Sequence, residues 1–331
     1  MAKNVILPDD RRRRLVFYLA MEEFVAKETG GEAFFLWQVE PTVIFGRNQL
    51  MEAEVNLEYC RSHGISVYRR KSGGGCVYAD LGNVMLSYVG PREGAWEKYS
   101  KRLVTVLRGM GLDAEVSGRN DILVDGAKVS GTAFQLLPDR TVVHGTMLYA
   151  SNFTALEQAL HPSAQKLGSK GIASVRSRVG NVKEAMSKRG LSIGLEEFKA
   201  RILAAFCDGE LKLNEEQVAE IEKIEAGYLS DDFLYGHNPR CSAKRRRRYE
   251  GVGEFEFGYT AKGSIFRELS LSGDYFLAGG HSPEELQAWL SGLLLGRPMT
   301  EEAVREALRD EDVGAYIANM DNGQLIDLIT H

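Results

Sequence analysis

The order in which apolar periodicities follow one another restricts this chain more than any other feature. A first helix is predicted where Leu15, Phe17, Tyr18, Met21, Phe24 and Val25 recur at helical spacing. Asp9 or Asp10 could cap it and Gly30–Gly31 would stop it. Short apolar runs come next: Phe34–Val39, Thr42–Phe45, Ile65–Tyr68 and Asn83–Val89, most of them flanked by Gly, Pro or charge as strands are. Trp96 to Met110 reads as an amphipathic helix ending at Gly111. Ile122–Val124, the Asp125-Gly126 turn and Ala127–Val129 read as a hairpin, and Val142–Tyr149 is a further β-prone run. Helical patterns follow at Asn152–Leu160, Leu195–Cys207 and Glu215–Tyr228. Strands that neighbour one another without a steady strand–helix–strand alternation exclude a doubly wound fold. They predict an α+β domain whose sheet is largely antiparallel, with flanking helices.

The stretch Asn238–Arg248, NPRCSAKRRRR, differs in composition and reads as a linker. After it, Glu254–Thr260 and Ser264–Leu271 form a second predicted hairpin. Ser282-Pro283-Glu284-Glu285 is a helix start with a capping box, and another helix should begin after Thr300. For 331 residues, this organisation predicts a catalytic domain over 1–240 and a small α+β accessory domain over 249–331. A net charge of −5 gives no general pull toward nucleic acid or membrane. The 4 cysteines form no C-x-x-C pair, which favours a reduced setting over a zinc or disulfide framework. No apolar stretch suits a signal peptide or a bilayer span. Asp9 and Asp10 beside Arg11–Arg14 argue against a transit peptide, so the expected location is cytoplasmic.

Four segments carry potential chemistry. In Arg69–Asn83, RRKSGGGCVYADLGN, three consecutive glycines follow a strand beside Arg69, Arg70 and Lys71. Such a run suits either a tight turn or a backbone nest for phosphate or carboxylate oxygens. It is neither a P-loop nor a Rossmann fingerprint. In Ser117–Phe134, Lys128 lies in a hairpin strand, where it either faces solvent or meets an anionic ligand. Asn120 and Asp121 in the same segment are either turn formers or oxygen ligands for Mg²⁺. His144-Gly145-Thr146 sits in a strand, where the histidine serves either the core or a ligand. Gly171–Asn181 places Arg176 and Arg178 among apolar residues.

Together these segments resemble the lipoate–protein ligase A family. RRKSGGGCVYADLGN matches that family's glycine motif. SGRND, KVSG-T-A, HGT and GIASVRSRV follow in the family's order and approximate spacing. The resemblance covers Phe17 to Val182, and the C-terminal module resembles the family's accessory domain. It implies the fold shared with biotin protein ligases and octanoyltransferases, built on a mixed central sheet. It further implies ATP-dependent ligation in two steps, with lipoate activated as lipoyl-adenylate and then passed to a lysine of a lipoyl domain. The implied partners are the acyltransferase subunits of 2-oxoacid dehydrogenases and the glycine cleavage H protein, with no nucleic acid and no membrane. Lys128 is the implied catalytic residue. Arg70, Ser72, Gly75, Cys76, Val77, Tyr78, Asn83 and Lys128 are the implied nucleotide contacts. Arg47, Gly73, Gly74, Gly75, Lys128, His144 and Gly145 would bind lipoate, with Trp37 and Val43–Phe45 candidates for lining its tail. Asn83 and Asp121 would hold Mg²⁺.

Ala79 stands where many members carry His, and Gln135 where some carry Arg. Both departures touch the adenylate side. They keep open an alternative, a transferase that uses preformed adenylate without ATP; Cys76 inside the glycine loop suggests another, a lipoyl or octanoyl transferase working through a thioester, set against a plain packing role for that cysteine. A nucleic-acid module on Lys244–Arg248 is a third reading, set against a solvated linker that could also meet acidic lipoyl domains.

Overall fold

The structure is a computed structural model and describes residues 1–118, 120–160, 178–236 and 241–331. It divides into two compact units. The first comprises Met1–Ile44, Glu54–Arg70 and Val77–Leu234; the second comprises Phe45–Ala53, Lys71–Cys76 and Tyr235–His331.

The strands of the first unit are β1 (Ala2–Ile6), β2 (Ala33–Trp37), β3 (Thr42–Phe45), β4 (Ser66–Arg69), β5 (Val77–Ala79), β6 (Asn83–Pro91), β7 (Ala114–Ser117), β8 (Asp121–Val124), β9 (Ala127–Leu136), β10 (Arg140–Leu148) and β11 (Cys207–Lys212). Eight of them form one sheet in the order β11-β1-β2-β6-β10-β9-β8-β7, and β4-β3-β5 form a second, small sheet. β1 pairs in parallel with β11 and β2, whereas β2, β6, β10, β9, β8 and β7 pair antiparallel. The sheet is thus mixed and mostly antiparallel, as expected.

Period-two alternation gives the large sheet two buried faces. On β2, Phe34 enters one core while Ala33, Phe35 and Trp37 enter the other. The first core is closed by α2 (Ala95–Gly109) and α4 (Leu195–Phe206). The second is closed by α1 (Leu15–Glu28) and α5 (Glu215–Tyr228); the short α3 (Phe153–Ala159) follows β10. Each large apolar side chain buried this way contributes about 1.5–3 kcal/mol.

In the second unit, β12 (Ala243–Tyr249), β13 (Gly253–Lys262) and β14 (Ile265–Gly273) form an antiparallel sheet in that order. Phe255, Phe257, Phe266 and Leu269 pack under α6 (Pro283–Leu294), α7 (Glu301–Ala307) and α8 (Asn322–Thr330). Ser282 caps α6 with the expected capping box to Glu285.

Three expectations change. Asp9 does not cap α1, which begins at Leu15 without a side-chain cap; Asp9 instead binds Arg11 and Arg13. Hydrogen bonds from Arg11 hold its carboxyl down at about 2. The segment read as a linker contributes β12. Its cations alternate as a strand requires, with Lys244 and Arg246 on Glu256 and Arg248 facing Glu254 and Asp274. Residues 238–240 of that stretch lie outside the described residues. Finally, β1, β5, β7 and β11 had no counterpart in the sequence reading. Among the described residues no helix is long and apolar enough to cross a membrane.

Candidate active site

Lys128 sits near the start of β9, beside a β-bulge. Ile122 pairs with Ser130 and Leu123 with Lys128, leaving Val129 as the extra residue. Bulges re-aim side chains, and they recur beside active sites. On its other side, Lys128 donates its N–H to the Arg178 carbonyl at 2.9 Å and accepts from Gly180 N–H at 2.9 Å. The end of the fourth motif is therefore built against the lysine of the second. Residues 171–177 of that motif, Arg176 included, and Arg119 of SGRND lie outside the described residues. The Lys128 ammonium is 2.7 Å from Asp121 Oδ1, and both side chains are about one-third exposed. Asn120 ties this corner to β9, donating from Nδ2 to the Thr132 carbonyl at 2.6 Å.

On β10, His144 and Gly145 lie opposite Ser87 and Leu86 of β6. Nδ1 of His144 is 2.9 Å from Glu22 Oε2 on α1. Glu22 is only 1% exposed, and its other oxygen accepts from Ser87 Oγ. Ser87 in turn receives the Trp37 Nε1–H at 2.8 Å, and the Trp37 ring stacks on Tyr18 at 4.6 Å. A buried carboxylate needs such partners. Gly145 is required by close packing, because a Cβ there would lie 2.5 Å from the Tyr99 hydroxyl.

Asn83 is wholly buried. Its Oδ1 accepts Met147 N–H at 3.1 Å, and its Nδ2 points to the Tyr78 carbonyl at 3.5 Å. Asp80 closes the adjoining turn through Gly82 N–H at 2.9 Å and Asn152 N–H at 2.8 Å. Val77 and Tyr78 pair with Ile44 and Val43 in the small sheet. Burial, and then the nearby Asp80 charge, push the Tyr78 hydroxyl up to about 12. Arg70 is buried, with one guanidinium nitrogen 3.5 Å from the Ile44 carbonyl.

The remaining expected site residues belong to the second unit. Arg47 donates its N–H to the Ser72 carbonyl at 2.9 Å, and its guanidinium meets Glu284 at 2.5 Å. Gly74, at φ 85°, donates its N–H to the Tyr275 carbonyl at 3.3 Å. Gly73 lies so close that a Cβ there would be 2.3 Å from the same oxygen. The Asn48 carbonyl accepts Gly273 N–H at 2.8 Å. Gly75 approaches Asp274, whose Oδ2 would lie 3.9 Å from a Cβ at that glycine. Cys76 is half-buried. One part of the glycine run thus answers a steric demand of its own unit.

Residues 15–207 match the family described as lipoyl protein ligase A/B catalytic domain, and residues 238–329 match bacterial lipoate protein ligase C-terminus. Lipoate–protein ligase 1 of Staphylococcus aureus is 34% identical over 323 residues, covering 94% of this chain and 95% of that protein. The chain belongs to the lipoate–protein ligase family. Its fold is shared with the crystal structure of P. falciparum LipL1 in complex with lipoate, at a TM-score of 0.76 and 18% identity, covering 100% of this chain and 98% of that one. It is shared also with a lipoate–protein ligase A bound with ATP, at a TM-score of 0.60 and 22% identity over 71% of this chain and 99% of that one.

Where this chain departs from the ligase pattern, the structure gives the local context. Ala79 is fully buried in β5 opposite Thr42, and Gln135 is half-buried on β9 opposite Val142. Sequence reasoning missed Glu22. The available signal was an acid pair, Glu22-Glu23, inside an otherwise apolar helix. Both are buried, and Glu23 accepts from the Tyr228 hydroxyl.

Proposed function

We propose that this enzyme activates lipoate with ATP and transfers the lipoyl group to a lysine of a lipoyl domain. The observation that carries the reading is Lys128 on a bulged strand, its backbone bonded to Arg178 and Gly180 and its ammonium beside Asp121. In the first step a lipoate carboxylate oxygen attacks the α-phosphorus of ATP, and the bond to pyrophosphate breaks. In the second, a lysine ε-amine attacks the carbonyl of the mixed anhydride, AMP leaves, and the amine loses a proton.

Both steps gather negative charge, so catalysis here is positioning and electrostatics. Lys128 exchanges its Asp121 partner for the lipoyl carboxylate and phosphate oxygens, and it stabilises the carbonyl oxygen as charge develops there. Arg70, Ser72, Gly75, Cys76, Val77 and Tyr78 take the nucleotide, and Arg47, Gly73, Gly74, Gly75, His144 and Gly145 take lipoate. Trp37, stacked on Tyr18, lines the tail slot.

Among the described residues, no three His, Cys, Asp or Glu side chains gather as a metal cluster. Mg²⁺ needs no such cluster, since it takes one or two carboxylates together with phosphates and water. Asp121 fits that role, and the metal would supply charge neutralisation on the phosphates. Asn83, with its amide oxygen on Met147 N–H, supports β10 beside His144. The acceptors are the lipoyl domains of 2-oxoacid dehydrogenase acyltransferases and the glycine cleavage H protein.

The test is a mass measurement. Purified protein incubated with ATP, Mg²⁺, lipoate and an apo lipoyl domain adds one lipoyl group to that domain and releases pyrophosphate. Lys128→Ala removes both products while the protein keeps its circular-dichroism spectrum. Wild-type protein that yields neither product refutes the assignment.

A further inference from the structure

The Lys128 side chain does not stand alone in its corner. A Cβ built on Gly131 would lie 2.9 Å from both Cε and Nζ of Lys128, and 3.8 Å from Asp121 Oδ1. Real Cβ atoms do not make contacts that short, so the end of the lysine occupies the volume that any other residue at 131 would fill. The backbone gives no separate reason for glycine here. Gly131 lies in β9 and is not among the residues with positive φ. A glycine in a strand interior weakens it through chain entropy and lost packing. Its N–H is engaged, donating to Thr146 Oγ1 of β10 at 3.2 Å, so this stretch of backbone is held by a neighbouring strand.

We propose that Gly131 is a positioning residue for the ligation reaction, forming the bare floor on which the Lys128 ammonium rests. The inference depends on Lys128 being the lipoate-binding group. Three constraints define the ammonium position: the bulge at Val129 aims the side chain, Gly131 admits it close to the strand, and Asp121 holds its charge until substrate arrives. A methyl group at 131 lifts the ammonium off the strand by bending a flexible side chain, which costs the fold little. The cost falls on the ligand instead, because a charge-assisted hydrogen bond depends on short, aligned geometry.

The experiment measures lipoate binding by calorimetry, with ligand-observed NMR for millimolar affinities, on wild type, Gly131→Ala, Lys128→Ala and the double variant. Thermal melts are run alongside, and kcat and KM are determined for wild type and Gly131→Ala. Gly131→Ala is expected to keep or raise its melting temperature, to bind lipoate at least tenfold more weakly, and to ligate with raised KM and lowered kcat. In the Lys128→Ala background, the same substitution should change affinity by less than twofold, because its effect runs through the lysine. Three results would overturn the proposal: unchanged affinity in Gly131→Ala, an equal loss with and without Lys128, or a variant that no longer folds. Wild-type protein that binds no lipoate overturns the functional reading as well, and that outcome is distinct from the other three.

Discussion

Glu22 illustrates how a single buried carboxyl group can organise the residues around it. It is fully enclosed between α1 and the sheet, and it accepts from His144 on one oxygen and Ser87 on the other. Removing a buried acceptor while leaving its donors unsatisfied costs about 1–3 kcal/mol for each group left behind. Glu22→Ala should therefore lower the urea midpoint strongly. Glu22→Gln, which keeps the acceptor oxygen, should cost clearly less in equilibrium unfolding but still raise KM for lipoate by several-fold through misplaced His144. A Glu22→Gln variant with wild-type KM would separate this network from substrate binding. His144, Lys128 and the glycine run were singled out from the sequence by residue type and pattern. The pairing of Lys128 with Arg178 and Gly180 was not visible, because the partners are far apart in sequence and only the fold brings them together.

Among elements, β12 departs most from what composition suggests. Its run of five basic residues reads as solvated linker because strand recognition relies on apolar alternation. Here the alternation is electrostatic, with cations above the carboxylates of Glu254, Glu256 and Asp274. Burial alone would push the Glu256 carboxyl up, but hydrogen bonds from Lys244 and Arg246 bring it below its ordinary value. A carboxylate depressed in the folded state stabilises above its unfolded value, and loses that contribution as pH falls through the folded one. Glu256→Gln should accordingly destabilise the protein by up to about 1 kcal/mol at pH 7, the discount reflecting its half-exposed partners. The difference should shrink as pH falls below the ordinary carboxylate range, as paired denaturant titrations would reveal. α5 was legible from its helical pattern over Glu215–Tyr228, and the start of α6 from the capping box on Ser282. β1 and β11 were not, being short strands whose partners in the sheet are distant in sequence.

At the scale of the whole molecule, the domain expectation drawn at residues 240 and 249 followed chain order, but the compact units do not. Phe45–Ala53 and Lys71–Cys76 belong with Tyr235–His331. Cutting the chain after residue 236 would remove the Tyr275 carbonyl that receives Gly74 N–H and sits under Gly73. Such a fragment should lose hydrogen-exchange protection at Gly74 while its large sheet remains protected, because local stability follows local contacts. Equal protection at Gly74 in fragment and full chain would contradict this.

Gly73 carries a consequence for how sequences of this kind can be recombined. Its bare α-carbon accommodates a peptide group some two hundred residues downstream. A chimaera of two relatives joined at a single crossover near residue 240 would mix parents inside one compact unit. Exchanging Phe45–Ala53, Lys71–Cys76 and Tyr235–His331 as a matched set should preserve expression yield where the single crossover lowers it.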